Sequence, residues 1–157
     1  MKSLALLLCI LFTNTALAQS FTDYRTSLVK VEGYSLTPYA NNTHVGIGHL
    51  LKPGERHGGY TALAVETLFI SDLAYAIQSC NLAFDHFDRL PKDVKVVLVG
   101  LSFSVGRTGL MRFRHLRLAI DHRAYSSAAV ELADSRWFHQ VGRERAMGAY
   151  TVLLNQP

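Results

Sequence analysis

Cysteine is nearly absent. The 157-residue chain has two, Cys9 and Cys80, and Cys9 falls in an N-terminal stretch read below as removable. That leaves Cys80 alone and excludes an intrachain disulfide, so the fold must rest on its apolar core. A single cysteine among apolar neighbours reads as a small buried hydrophobe rather than a nucleophile. No apolar run reaches the roughly 20 residues of a permanent membrane span, so no stable membrane anchor is expected. Neither sign of charge dominates: 16 Lys and Arg stand against 12 Asp and Glu, a formal charge of +4. A mildly basic domain suits a polyanionic partner such as nucleic acid, a membrane surface or an acidic cell-wall polymer. The basic residues form no single run and read as solvated surface. No motif for nucleic-acid binding accompanies them. The histidines His44, His49 and His57 lack a recognisable ligand spacing, so neither metal nor cofactor is expected. Repeats, low-complexity segments and interdomain linkers are missing too. The length fits one domain with a real core.

What is present begins with MKSLALLLCILFTNTALA. Lys2 supplies a positive start, Leu4 to Phe12 an apolar segment, and Ala16-Leu17-Ala18 a small-x-small cleavage site. Residues 1–18 are therefore expected to be a cleavable signal peptide that exports the chain to the periplasm or the extracellular space. Residues 19–157 are then the single domain. An uncleaved or slowly released anchor is the alternative. Cys9 follows Leu8, whereas lipidation would need a small residue there.

From Ser20 the sequence turns amphipathic, and Ser20 with Asp23 resembles a capping box. Tyr24, Leu28 and Glu32 recur at four-residue intervals along one helical face. Gly33 suits the left-handed residue that ends a helix. Glu32 thus closes the helix on its apolar side. A carboxylic acid held against apolar surface resists ionisation, as a general acid working near neutral pH requires. An exposed C-terminal glutamate would face the negative end of the helix dipole.

Pro38 excludes helix through Tyr39, and Asn41-Asn42-Thr43 reads as a turn. His44 to His49 then alternates as one short strand, with His44, Gly46 and Gly48 on one face and Val45, Ile47 and His49 on the other. The glycines beside His44 leave bare backbone that a bulky ligand can approach. Helices follow over Thr61–Phe84 and Asp93–Val105, the second nearly all apolar and so buried. Gly106-Arg107-Thr108-Gly109 breaks it. Met111–Ile120, Ser126–Trp137 and Arg143–Leu154 read as further helices. The fold class is α+β: a small N-terminal β-sheet lobe and a larger helical lobe, with a cleft between.

Glu32-Gly33, Tyr39, Val45-Gly46-Ile47-Gly48-His49-Leu50-Leu51 and the ELADSRW segment ending in Ser135-Arg136-Trp137 resemble the phage-type lysozymes, glycoside hydrolase family twenty-four. The likeness covers about residues 24–153, and the E-G…Y…G-x-G-H pattern within it is fairly specific. The resemblance implies a lysozyme-like fold and cleavage of the β-1,4 bond between N-acetylmuramic acid and N-acetylglucosamine in peptidoglycan. It places Glu32 on the family's general acid. Arg145 matches the arginine paired with that acid, with Arg143 as a competitor. His49 and Asp72 match a structural ion pair, and Leu50 and Phe103 match substrate-cleft positions. Peptidoglycan is the implied partner, and a monomer is expected.

Two departures change the implied chemistry. The family's second carboxylate is Asn41 here, and the threonine that helps hold the attacking water is His44. Glycosidases commonly use two carboxyl groups, set roughly 6.5–9.5 Å apart for inversion or about 5 Å apart for retention. Asn41 cannot be a base, though it can orient water or the substrate amide. His44 can supply what is lost, as a base toward water or as a nucleophile at the anomeric carbon. Three readings stay open: a muramidase acting as an endolysin-like enzyme, a lytic transglycosylase forming 1,6-anhydro ends, and a catalytically inactive wall-binding protein.

Overall fold

The computed structural model describes residues 21–55 and 58–157. The segment expected to be a signal peptide, Ser20 and His57 lie outside the described residues. Helix α1 covers residues 21–32 among those described. It buries Tyr24 and Leu28, one turn apart on the face that the four-residue spacing implies. Gly33 ends it with φ +79°, and its N–H donates to the Val29 carbonyl at 2.9 Å. The bond satisfies a carbonyl that the helix end would otherwise leave unpaired.

Three short antiparallel strands follow: β1 (Ser35–Tyr39), β2 (His44–Gly46) and β3 (His49–Leu50), side by side in that order. Pro38 sits on the edge strand β1, where its missing N–H interrupts no central ladder. Tyr39 pairs with His44 and Ser35 with Gly46, with an irregularity between the two pairs. One expectation is corrected here. Residues 44–49 are not one strand, because the chain folds back at Ile47–Gly48 so that Val45 faces His49 and His44 faces Leu50. Gly46 and Gly48 take φ of +67° and +73°, a left-handed backbone that lets glycine reverse the chain without a Cβ clash. The two histidines remain on opposite faces of the hairpin.

Helix α2 (Ala62–Ala83) starts where the Thr61 hydroxyl accepts the Ala64 N–H. It buries Val65, Phe69, Leu73, Ala76 and Cys80, a continuous helical stripe. Helix α3 (Lys92–Arg112) packs along it. The Ser102 hydroxyl donates to the Ala76 carbonyl at 3.2 Å, and the Cys80 thiol lies 3.4 Å from the Leu98 carbonyl. The expected break at residues 106–109 is narrower than the sequence suggests. Only Gly106 leaves helical geometry, at φ 68°, ψ 174°, and helical turns resume through Arg112. The helix expected over 111–120 is consequently α4 (Arg114–Asp121), separated from α3 at Phe113. The helix expected over 126–137 is also divided, into α5 (Tyr125–Ala133) and α6 (Arg136–Gln140). Ser135 makes the division: its hydroxyl accepts the Phe138 N–H at 3.2 Å, a capping bond that starts a new helix. Helix α7 (Arg143–Leu154) has the expected bounds. The architecture is mixed and mostly helical, with one small antiparallel sheet near the N-terminal end of the described chain.

Candidate active site

Glu32 meets two parts of the chain, α7 and the hairpin. One carboxylate oxygen, Oε1, accepts from Arg145 Nη1 at 2.7 Å. The side chains of Arg145 and Glu32 are 18% and 21% exposed, which puts this pair between a surface bridge and a buried one. The apolar surround expected for Glu32 is therefore corrected. Its helix does place it beside the core, but the carboxylate ends in an ion pair. Arg145, not Arg143, is the partner.

Arg145 is itself held from two further sides. Its Nη2 donates to the Gly100 carbonyl at 3.2 Å, where α3 passes. Its guanidinium carbon lies 5.7 Å from the centre of the Trp137 ring, within cation–π range. The Trp137 indole N–H donates in turn to the Ser104 hydroxyl at 3.1 Å. Helices α3, α6 and α7 thus fix the arginine that fixes the glutamate. The roles of Gly100 and Ser104 carry no sequence signal, since a carbonyl and an isolated hydroxyl are available almost everywhere.

The hairpin closes on the other oxygen. A Cβ added at Gly48 would lie 3.2 Å from Glu32 Cγ and Oε2, so a larger residue there would press on the carboxylate. The Gly48 N–H donates to the Tyr39 hydroxyl at 3.1 Å. Burial pushes the Tyr39 phenol above its ordinary pKa; the Gly48 N–H opposes this and the nearby Glu32 charge adds to it. The Tyr39 and His44 rings, cross-strand neighbours, have centroids 5.9 Å apart and are tilted by 32°. His44 Nδ1 lies 2.8 Å from the Thr43 hydroxyl. Glu32, Gly48, Tyr39 and His44 consequently form one chain of contacts running from the end of α1 across the sheet.

The remaining candidates are placed less uniformly. Asn41 is exposed in the turn after β1, with φ +57° between Ala40 at +49° and Asn42 at +62°. His49 is buried, with Nδ1 2.6 Å from Asp72 Oδ2 and Nε2 3.1 Å from Glu55 Oε2. The structure thus joins His49 to Asp72 and adds Glu55, which the sequence reading missed. The Glu55 carboxylate also accepts the Lys52 N–H at 2.7 Å. That bond first, and His49 second, hold its carboxyl below the usual range. Leu50 is 59% exposed on β3. Phe103 is half-buried, its ring 6.1 Å from that of Phe69, so it belongs partly to the core.

A groove of about 890 Å³ runs beside the pair. Its walls are α1, α3, α6 and α7, with Leu28, Val96, Leu101 and Trp137 among its apolar lining. It reaches Val31 and Arg145, but its lining includes neither Glu32 nor the sheet residues Tyr39 and His44. This groove lies among the helices rather than between sheet and helices.

Comparison with models of protein families gives no match for this chain, and neither does comparison with curated protein sequences.

Proposed function

We propose that the chain is a peptidoglycan-degrading glycosidase of lysozyme-like fold that hydrolyses the β-1,4 bond between N-acetylmuramic acid and N-acetylglucosamine. One observation carries the reading. The carboxylate ending α1 is pinned by Arg145 on one oxygen, while its other oxygen meets a glycine hairpin that also bears an imidazole. A carboxyl group that can donate a proton and an imidazole that can accept one, joined through Gly48 and Tyr39, are the two partners that general acid–base cleavage of a glycosidic bond requires.

In this reading Glu32 gives its proton to the glycosidic oxygen as the bond to the anomeric carbon breaks. Arg145, bonded to Oε1 of the same group, offsets the negative charge left there after the transfer. Water forms the new bond to the anomeric carbon and yields its proton to His44. Neither metal nor cofactor is needed for these steps. Asn41, in the same turn, can orient the water or the N-acetyl group. The His49–Asp72–Glu55 cluster braces β3 and the following loop against α2. Export by residues 1–18 to the periplasm or beyond belongs to the same proposal, since the polymer lies there.

The test is zymography on purified peptidoglycan, with mass analysis of the fragments. The intact enzyme is expected to clear the substrate and leave reducing ends, and Glu32→Gln to lose about a hundredfold or more. Fragments with 1,6-anhydro ends would replace hydrolysis with transglycosylation. No clearing by either protein, with binding retained, would leave a wall-binding protein.

A further inference from the structure

The turn that carries His44 also settles which of its ring nitrogens is open. The Thr43 hydroxyl lies 2.6 Å from the Ala40 carbonyl oxygen. Two oxygens that close require a proton between them, and a carbonyl can only accept, so the single hydroxyl proton is committed to Ala40. The same Thr43 oxygen lies 2.8 Å from His44 Nδ1. With no second proton to give, Thr43 must accept there, so Nδ1 carries the hydrogen and donates it. In the neutral ring the lone pair then resides on Nε2.

We propose that Thr43 is a positioning residue that locks His44 as the Nδ1–H tautomer and so leaves Nε2 as the basic, nucleophilic atom of the site. Three features of the chain serve this arrangement. Ala40, Asn41 and Asn42 all take left-handed φ, which curls the turn until the Ala40 carbonyl reaches the Thr43 hydroxyl. The Thr43 N–H bonds back to the Tyr39 and Ala40 carbonyls at 3.1 and 3.3 Å, anchoring the turn. The Tyr39 ring lies beside the imidazole, with centroids 5.9 Å apart. The same tyrosine accepts the Gly48 N–H, so the part that seats the imidazole also seats the glycine lying against Glu32.

The inference deepens the glycosidase reading and rests on it for its chemistry, but the tautomer can be observed without any turnover. Two-bond ¹H–¹⁵N correlation spectra of the folded chain, taken above the usual imidazole titration range, separate a protonated nitrogen from a lone-pair one. The expected His44 pattern is protonated Nδ1 and lone-pair Nε2. Thr43→Val keeps the shape, removes the acceptor, and is expected to shift His44 toward Nε2–H and lower turnover about fivefold, the worth of one hydrogen bond. Thr43→Ser keeps the hydroxyl and should restore both the pattern and the rate. A wild-type ring protonated on Nε2 overturns the inference, whatever the activity. So does Thr43→Val that is folded, with tautomer and rate unchanged. If the expected tautomer is seen in a protein that cleaves no glycan, Thr43 still sets the ring, and it is the glycosidase reading that fails.

Discussion

Gly48 offers the sharpest test of how the hairpin and Glu32 fit together. Substitution by alanine incurs two costs of different origin. The first is conformational: at φ +73° an L-residue is strained by about 1–2 kcal/mol. The second is steric: the new methyl would sit 3.2 Å from Glu32 Cγ and Oε2 and 3.3 Å from its Cβ. Ordinarily a glutamate tip swings away, but here Oε1 is held by Arg145 at 2.7 Å and the Cβ is fixed by α1. Overpacking of this kind costs about 1–3 kcal/mol more. Gly33 supplies the control, because it has φ +79° and an added Cβ would meet nothing within 4 Å. Gly33→Ala should therefore show only the first cost, and Gly48→Ala both. Equilibrium urea unfolding measures each. Repeating Gly48→Ala in a Glu32→Ala background should recover about 1 kcal/mol or more as a coupling energy, since the obstructing side chain is gone. A Gly48→Ala cost no greater than that of Gly33→Ala, or one unchanged with Glu32 removed, would refute this packing.

Two further outcomes follow from groups away from that contact. Burial pushes the Cys80 thiol up to about 12, and the residue is fully enclosed. A thiol-reactive dye at pH 8 should leave the native protein unmodified and label it stoichiometrically in denaturant, and rapid native labelling would contradict this packing. Glu55 and Glu66 both have lowered carboxyl pKa values, through the Lys52 N–H and then His49 for Glu55 and through Arg25 for Glu66. A lowered folded-state value contributes stability that is present above the ordinary carboxylate range and lost as pH falls through the folded value. Glu55→Gln and Glu66→Gln should each flatten the acid limb of stability against pH below about 4.3, while unchanged limbs would refute both assignments.

Local signals proved legible where one physical rule governed several residues at once. The 3.6-residue period in α2, the Tyr24–Leu28–Glu32 spacing and the glycine after it could be read from the sequence, because each reflects the geometry of a single helix. Boundaries were misread where one residue acted alone. Ser135 starts a helix by accepting one N–H, and nothing in its neighbourhood announces that α5 stops there. Gly106 kinks α3 without ending it, because only its own φ and ψ depart. The hairpin at residues 44–50 was misread for a related reason. The period-two alternation of a strand and the spacing of Gly46 and Gly48 are compatible with one extended segment or a reversal. The choice depends on whether the glycines adopt positive φ, which no pattern of hydrophobicity encodes.

The site shows where reading by pattern stops and reading by geometry must begin. Residue 32 and residue 145 lie 113 positions apart, and the choice of Arg145 over Arg143 depends on which side of α7 faces Gly100 and Trp137. Along a helix a shift of two residues rotates the side chain by about 200°, given 3.6 residues per turn, so the two arginines cannot both address the same carboxylate. Arg143 has no such framing by Gly100 and Trp137, while Arg145 is clamped from both sides. Reversing the pair in sequence should then fail. Arg145→Gln leaves Glu32 without its partner, and Arg143, rotated away, is not expected to rescue it. The specificity of the pairing therefore resides in how α7 packs against Gly100 of α3 and Trp137 of α6.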